Sequence, residues 1–267
     1  MADIHRGFED VDSSPEEKSF FEFLDLANQL PSISSHRERM LELSPVKDGF
    51  SVLDVGCGLG QEASRIAGLV GKAGRIEGID GSESLIEEAR RRAQDSNVPL
   101  NYSTGDARSL PFEDSCFDLC RAERVLLYLE NPAQSVAEMA RVTRPGGHII
   151  IFDFDYGAIF IDSDFAKVTR QIEALIASEP RNPTIGRGLP HLLRKAKFRV
   201  EAIEPMTVIP TTEIARRLCA SALSKGIDKG AFTAAEVEVW SQEQETMGQE
   251  GRRHHAFHGY IVAASKP

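Results

Sequence analysis

The chain has 267 residues, 41 Asp and Glu against 31 Lys and Arg, and a formal net charge of -10. That length buries a full core as one large α/β domain or two small ones, and the acidic balance argues against a nucleic-acid partner, whose phosphates require a basic face. Cys57, Cys116, Cys120 and Cys219 lack C-x-x-C spacing and read as buried thiols, no apolar run is long enough to span a bilayer, and Met1 to Glu17 has no signal-peptide core, so a cytoplasmic setting without membrane insertion is expected.

Pro15 to Leu30 and Ile33 to Leu43 read as two helices parted by Pro31, the first with Phe20, Phe23, Leu24 and Ala27 at amphipathic spacing. They are expected to form an N-terminal helical cap over residues 1–45, ahead of one main domain over 46–267. Ser51 to Val55 then reads as a strand covered on both faces, carrying Asp54 and running into Gly56, Gly58 and Gly60 and a helix from Gln61 to Leu69. Glycines let the chain bend sharply there and let a ligand approach the unpaired N–H groups of a helix N-terminus. A dinucleotide fingerprint spaces its glycines as G-x-G-x-x-G, which this turn does not.

Arg75 to Asp80 is a second strand, and Ser82 caps a helix with Leu85, Ile86, Ala89 and Ala93 on one face. Asp80 falls about twenty residues past the turn, where α/β cofactor domains place an acid against ribose hydroxyls. Pro99 to Thr104 is a third strand, closed by Gly105-Asp106-Ala107, and Phe117 to Ala122 a fourth. Pro132 opens a helix bearing Val136, Met139, Ala140 and Val142, Arg144-Pro145-Gly146-Gly147 ends it, and His148 to Phe152 is the fifth strand. This alternation predicts a parallel sheet with right-handed crossovers.

Beyond Asp153, helices are expected over Phe165 to Ile176, Leu189 to Ala196, Thr211 to Gly226 and Thr233 to Met247, with strands over Phe198 to Val208 and Arg253 to Ser265. The stretch 211–249 exceeds what joining the last two strands needs, and reads as a helical lid inserted before the final strand.

The pattern D-x-G-x-G-x-G, with Gly78-Ile79-Asp80, Gly105-Asp106-Ala107, Phe117-Asp118-Leu119 and Arg144-Pro145-Gly146-Gly147 following in order, resembles the class I S-adenosylmethionine-dependent methyltransferases. Within them it is most similar to the group of the ubiquinone/menaquinone C-methyltransferases and many secondary-metabolite methyltransferases. The resemblance covers about residues 51–154. It implies a Rossmann-like, doubly wound, mostly parallel seven-stranded sheet and S-adenosylmethionine as cofactor. It further implies that Asp54 orients the turn and meets the cofactor's amino group, that Gly56, Cys57, Gly58 and Gly60 make room for its methionine portion, and that Asp80 takes both ribose hydroxyls with Gly81 and Ser82 flanking the adenosine. Asp106 and Ala107 would meet the adenine, and Arg121 would line the cleft. Plain turn or capping roles are the alternatives for the three aspartates.

Methyl transfer from a sulfonium depends on alignment and desolvation, and a general base helps only when the acceptor loses a proton. Glu123 after the fourth strand, Asp153 or Asp155 after the fifth, and His258 in the last are the candidates, with charge balance of the cleft as the alternative for the acids. His254, His255 and His258 do not share one face of a strand, so no metal site is expected. Arg187 is a further possible substrate contact, and Trp240 a packing residue. The expected activity is methylation of a small, apolar or aromatic-like metabolite at O, C or N. An N-P-P-Y type tetrad is absent at Arg121-Ala122-Glu123-Arg124, which favours a small-molecule partner over nucleic acid or protein. An NAD-dependent oxidoreductase and a non-catalytic S-adenosylmethionine-binding module are the competing readings, and oligomeric state is left open.

Overall fold

The computed structural model of the protein describes residues 7–8, 10–14, 17–94, 100–252 and 254–267. The expected element starts at Pro15, Pro99 and Arg253 fall outside these, as do residues 1–6 of the expected cap. Two helices lead the described chain, α1 (Glu17–Asn28) and α2 (Pro31–Glu42). Pro31 sits in the first turn of α2, where its missing N–H costs nothing, and α1 buries Phe20, Phe23 and Ala27 as its stripe predicts.

The remaining order is β1 (Ser51–Val55), α3 (Gln61–Val70), β2 (Arg75–Asp80), α4 (Glu83–Arg92), β3 (Leu100–Thr104), β4 (Phe117–Glu123), α5 (Pro132–Val142) and β5 (Thr143–Ile161). Then follow α6 (Ala166–Ala177), α7 (Ile185–Lys195), β6 (Arg199–Val208), α8 (Thr212–Asp228), α9 (Ala234–Gln249) and β7 (His255–Ser265). The strands form one seven-stranded sheet, ordered β3-β2-β1-β4-β5-β7-β6. β1 to β5 pair in parallel, and β7 runs antiparallel between β5 and β6. This is the doubly wound, mostly parallel sheet expected from the sequence.

Adjacent residues of the central strands enter different cores, as a period of two requires. Val52 and Ile150 join the cluster on one face, Leu53 and Ile149 that on the other. α2 packs against β6 and β7, while α1 packs against α2 and α8. The N-terminal helices thus stand beside α8 on the face that carries the cavity described below.

Two elements differ from expectation. β5 continues well past Phe152, because β7 supplies antiparallel partners as far as Asp155 and, after a register shift, for Phe160 and Ile161. The polar Asp153 and Asp155 hide that continuation in sequence. Likewise α7 starts at Ile185 rather than Leu189; Gly186 and Gly188 weaken the helical signal, yet a Cβ at Gly186 would lie 2.6 Å from the Asp153 carbonyl oxygen. Glycine there lets the helix close on the strand.

Candidate cofactor and acceptor site

The carboxyl ends of β1, β2, β3, β4 and β5 open onto one cavity of about 710 Å³, where open α/β sheets bind ligands. Gly56, Gly58 and Gly60 have φ of 68, 51 and 76°, conformations that favour glycine. Their further constraints differ. A Cβ on Gly56 would strike Val125 at 2.3 Å and one on Gly60 the Tyr102 hydroxyl at 2.3 Å, whereas one on Gly58 would come no nearer than 4.0 Å to Leu24, and one on Gly81 would meet nothing within 4 Å. Gly58 and Gly81 both line the cavity, so side chains there would fill space that a ligand can use.

Asp80 ends β2 beside this turn. Gly58 N–H donates to its Oδ2 at 2.9 Å and Ser82 N–H to its Oδ1 at 3.1 Å, and burial raises its carboxyl pKa despite these donors. Ser82 caps α4 by accepting from Leu85 N–H. A second acid braces the same turn from the N-terminal segment. Asp12 accepts from the Ser82 hydroxyl at 2.6 Å, the Ser84 hydroxyl at 2.7 Å and Glu83 N–H at 2.8 Å. Asp10, Val11 and Asp12 form the cavity wall there.

Asp106 lies at the rim, half exposed, and Arg108 holds it at 2.9 Å while reaching Glu130 at 2.8 Å. Ala107 and Cys57 also line the cavity. Burial, with Asp80 and Asp54 nearby, pushes the Cys57 thiol pKa up, so it is a neutral wall group.

Beneath the glycine turn lies a buried charge cluster. Arg121 donates to Asp54 Oδ1 and to Glu123 Oε2, each at 2.9 Å. Burial pushes the Asp54 carboxyl up to about 6, against the pull of Arg121. Glu123 also takes Arg37 Nε on both oxygens at 3.0 and 2.9 Å, with Arg124 and His36 each 3.3 Å away. Burial alone would raise the Glu123 carboxyl, but Arg37, His36 and Arg124 outweigh it and hold it well below the usual range. Such a carboxylate takes up a proton poorly, and its arginine partners give Glu123 a charge-balancing place in the cluster. Arg121 likewise spends its donors on two acids.

Pleat alternation places two further catalytic candidates away from the cavity wall. Phe154 and Tyr156 of β5 and Phe257 of β7 line the cavity, whereas Asp155 and His258 do not. Asp155 is ion-paired with Arg187, and His258 Nδ1 lies 3.1 Å from Thr207 Oγ1. Asp153 is fully buried and receives N–H bonds from Leu127 and Phe154, with burial pushing its pKa up to about 7. Trp240 is a packing residue, donating to Thr169 at 3.0 Å.

His36, Arg37, Arg124 and Asp12 escaped the sequence reading. Arg37 lies in the polar run Ser34-Ser35-His36-Arg37-Glu38, where nothing local marks it as 9% exposed. Its partner Glu123 is 86 positions away. Arg124 has one signal that only the fold reveals, a φ of 60°.

A Rossmann-like sheet with a reversed β7 and acids at the ends of β1, β2 and β3 defines a nucleoside-cofactor protein. A family model described as "Methyltransferase domain" matches residues 53–151. The ubiquinone/menaquinone biosynthesis C-methyltransferase UbiE of Burkholderia orbicola is 31% identical over 164 residues, 58% of this chain and 68% of that protein. An uncharacterized 37.1 kDa protein in transposon TN4556 of Streptomyces fradiae is 36% identical over 197 residues, 73% of this chain but 56% of that protein. The fold is shared with a crystal structure of a putative methyltransferase from Bacillus halodurans, with a TM-score of 0.62 at 21% identity, covering 87% of this chain and 99% of that one. The chain belongs to the class I S-adenosylmethionine-dependent methyltransferases. The open space at Gly58 and Gly81 and the cavity-lining carboxylate of Asp80 fit that cofactor. No helix among the described residues is long and apolar enough to cross a membrane.

Proposed function

We propose that the protein transfers the methyl group of S-adenosylmethionine to a small-molecule acceptor with a largely apolar, ring-sized body. One observation carries this reading: a single cavity joins the glycine turn and Asp80 to a wall of Phe8, Phe23, Tyr128, Phe154, Tyr156 and Phe257. Those rings touch in edge-on or tilted pairs, as between Tyr156 and Phe257 at 5.8 Å and Phe8 and Tyr128 at 5.6 Å.

The cofactor supplies an electrophilic methyl group. The chain's own residues hold and align the partners and keep water out. Asp80 would accept from the ribose hydroxyls, Asp106 and Ala107 would flank the adenine, and the turn from Gly56 to Gly60, with Cys57, would receive the methionine portion. Asp54 and Arg121 would set the charge beneath it. Phe23, Leu24 and Ala27 of α1 and Ile214 and Leu218 of α8 roof the acceptor end, consistent with a cap over 1–45 and a lid within 211–249. α9 packs on α6 and α8 behind that roof.

Incubation with methyl-labelled S-adenosylmethionine and a panel of ring-bearing hydroxy, amino and carbon-acid compounds tests the reading. Label in one product, with S-adenosylhomocysteine formed alongside, is expected. Tight binding of S-adenosylhomocysteine with no transfer to any acceptor would instead mark a non-catalytic binding module. The wall at Asp12 carries a separate expectation. Asp12→Ala removes a helix cap worth about 1 kcal/mol, so S-adenosylhomocysteine should leave roughly fivefold faster in stopped-flow fluorescence. An unchanged release rate would show that the segment does not confine the cofactor.

A further inference from the structure

The charges lining the cavity are unevenly placed. Asp10, Asp12, Asp80 and Asp106 stand with the elements assigned to the cofactor, and Asp54, Glu62, Glu123 and Glu130 are each paired with an arginine. From β5 onward the wall is apolar or aromatic and holds one charged side chain, Arg181; at the end of β4 it holds Arg124. The acceptor end therefore presents guanidinium groups among rings.

Arg124 is unusual in three ways. Its backbone is left-handed, φ 60°, a conformation that costs a residue with a Cβ roughly 1–2 kcal/mol. The strain is fixed by its N–H, which donates to the Phe152 carbonyl at 2.8 Å. Second, the side chain is only 16% exposed, and its neutralisation is thin: Nη2 donates to Asn28 Oδ1 at 2.9 Å and lies near Glu123, whose oxygens Arg37 and Arg121 already occupy at 3.0 Å or less. Third, Nε is buried and has no hydrogen-bond partner among the described residues. A desolvated guanidinium with an unmet donor at a ligand cavity is left in need of an acceptor atom, since an unmet buried donor forfeits the hydrogen bond it had in water.

We propose that Arg124 receives an oxyanion of the methyl acceptor, so that the acceptor is an organic anion: a carboxylate, phosphate or phenolate on an apolar, ring-sized body. The inference rests on the methyl-transfer reading of this same cavity. Guanidinium suits the task because its planar donors match carboxylate and phosphate oxygens. The rings of Tyr128 and Tyr156 flank the body, and the anion lies on the β4 side of the cavity, toward the cofactor end.

Calorimetry on the protein saturated with S-adenosylhomocysteine tests this, with naphthoate, naphthyl phosphate and the neutral naphthamide as probes. The parent is expected to bind one or both anions about tenfold or more tighter than naphthamide, the ratio distinguishing carboxylate from phosphate. Arg124→Met should erase the preference while leaving naphthamide binding within about threefold, and Arg124→Lys should restore part of it. Equal affinity of the parent for all three probes, absence of anion binding, or a preference that survives Arg124→Met would overturn the proposal. Should the parent fail to bind S-adenosylhomocysteine at all, the methyl-transfer reading falls and this one with it; a parent that binds it yet shows no anion preference sinks only the anion site.

Discussion

Glu123→Gln is expected to destabilise the fold by about 3–5 kcal/mol, the cost of breaking a buried ion pair from one side. At roughly 2–4 °C per kcal/mol for a chain of this size, the melting temperature should drop by about 10 °C. The reason is local. Glu123 is the one carboxylate bonded to both Arg37 and Arg121, and a neutral amide leaves those guanidinium groups under-compensated in a site where Arg37, Arg121 and Glu123 are each at most 9% exposed. The pH dependence follows from sign. The folded-state pKa of Glu123 lies well below that of an unfolded glutamate, so its stabilisation is complete above about pH 4.3 and is lost as pH falls through the folded value. The gap between parent and variant should thus be widest near neutrality and narrow in acid, as measured by urea melts across pH. A constant gap would mean that charge at Glu123 contributes nothing. Turnover per folded molecule that survives the substitution would also confirm that Glu123 is no general base.

Asp80→Ala should weaken S-adenosylhomocysteine binding by on the order of 100-fold or more. Two hydrogen bonds from ribose hydroxyls to a charged acceptor are each worth about 1.5–3 kcal/mol. The substitution also frees the N–H groups of Gly58 and Ser82, which now converge on the carboxylate. Asp80→Asn keeps an acceptor oxygen and should lose about tenfold. Calorimetric titration decides it: affinity within threefold of the parent for Asp80→Ala would remove the ribose assignment. A melt of each ligand-free variant separates loss of the site from loss of the fold.

Much of the cofactor end was legible because its signals are local. Asp54, the three glycines, Asp80 and Asp106 lie at strand ends, and a strand end followed by a turn is written in consecutive residues. The structure brings Asp54, Gly56, Gly58, Asp80 and Asp106 to one cavity, while Gly60 packs against Tyr102 beside it. The acceptor end was not legible in the same way. Asp155 and His258 looked suitable because they sit in the right strands, but Phe154 and Phe257, their immediate neighbours, face the cavity instead. Which of two adjacent strand residues points inward is set by the pleat: Asp155 pairs with His258 away from the cavity, while Phe154 and Tyr156 alternate with Asp155 and face it.

The sequence by itself determined the sheet and the order of its elements, because hydrophobic periodicity and turn chemistry act over a few residues, and its resemblance to the class I methyltransferases gave the cofactor class. Only the tertiary structure decided the roles of the charged groups. Glu123 became the anchor of a buried cluster when His36 and Arg37 reached it from α2, and Arg124, with its left-handed backbone, became a candidate anion receptor when the fold placed it at the cavity wall. Proton affinity and charge recognition are set by desolvation and by partners distant in the chain, and neither is written in a residue's neighbours in sequence.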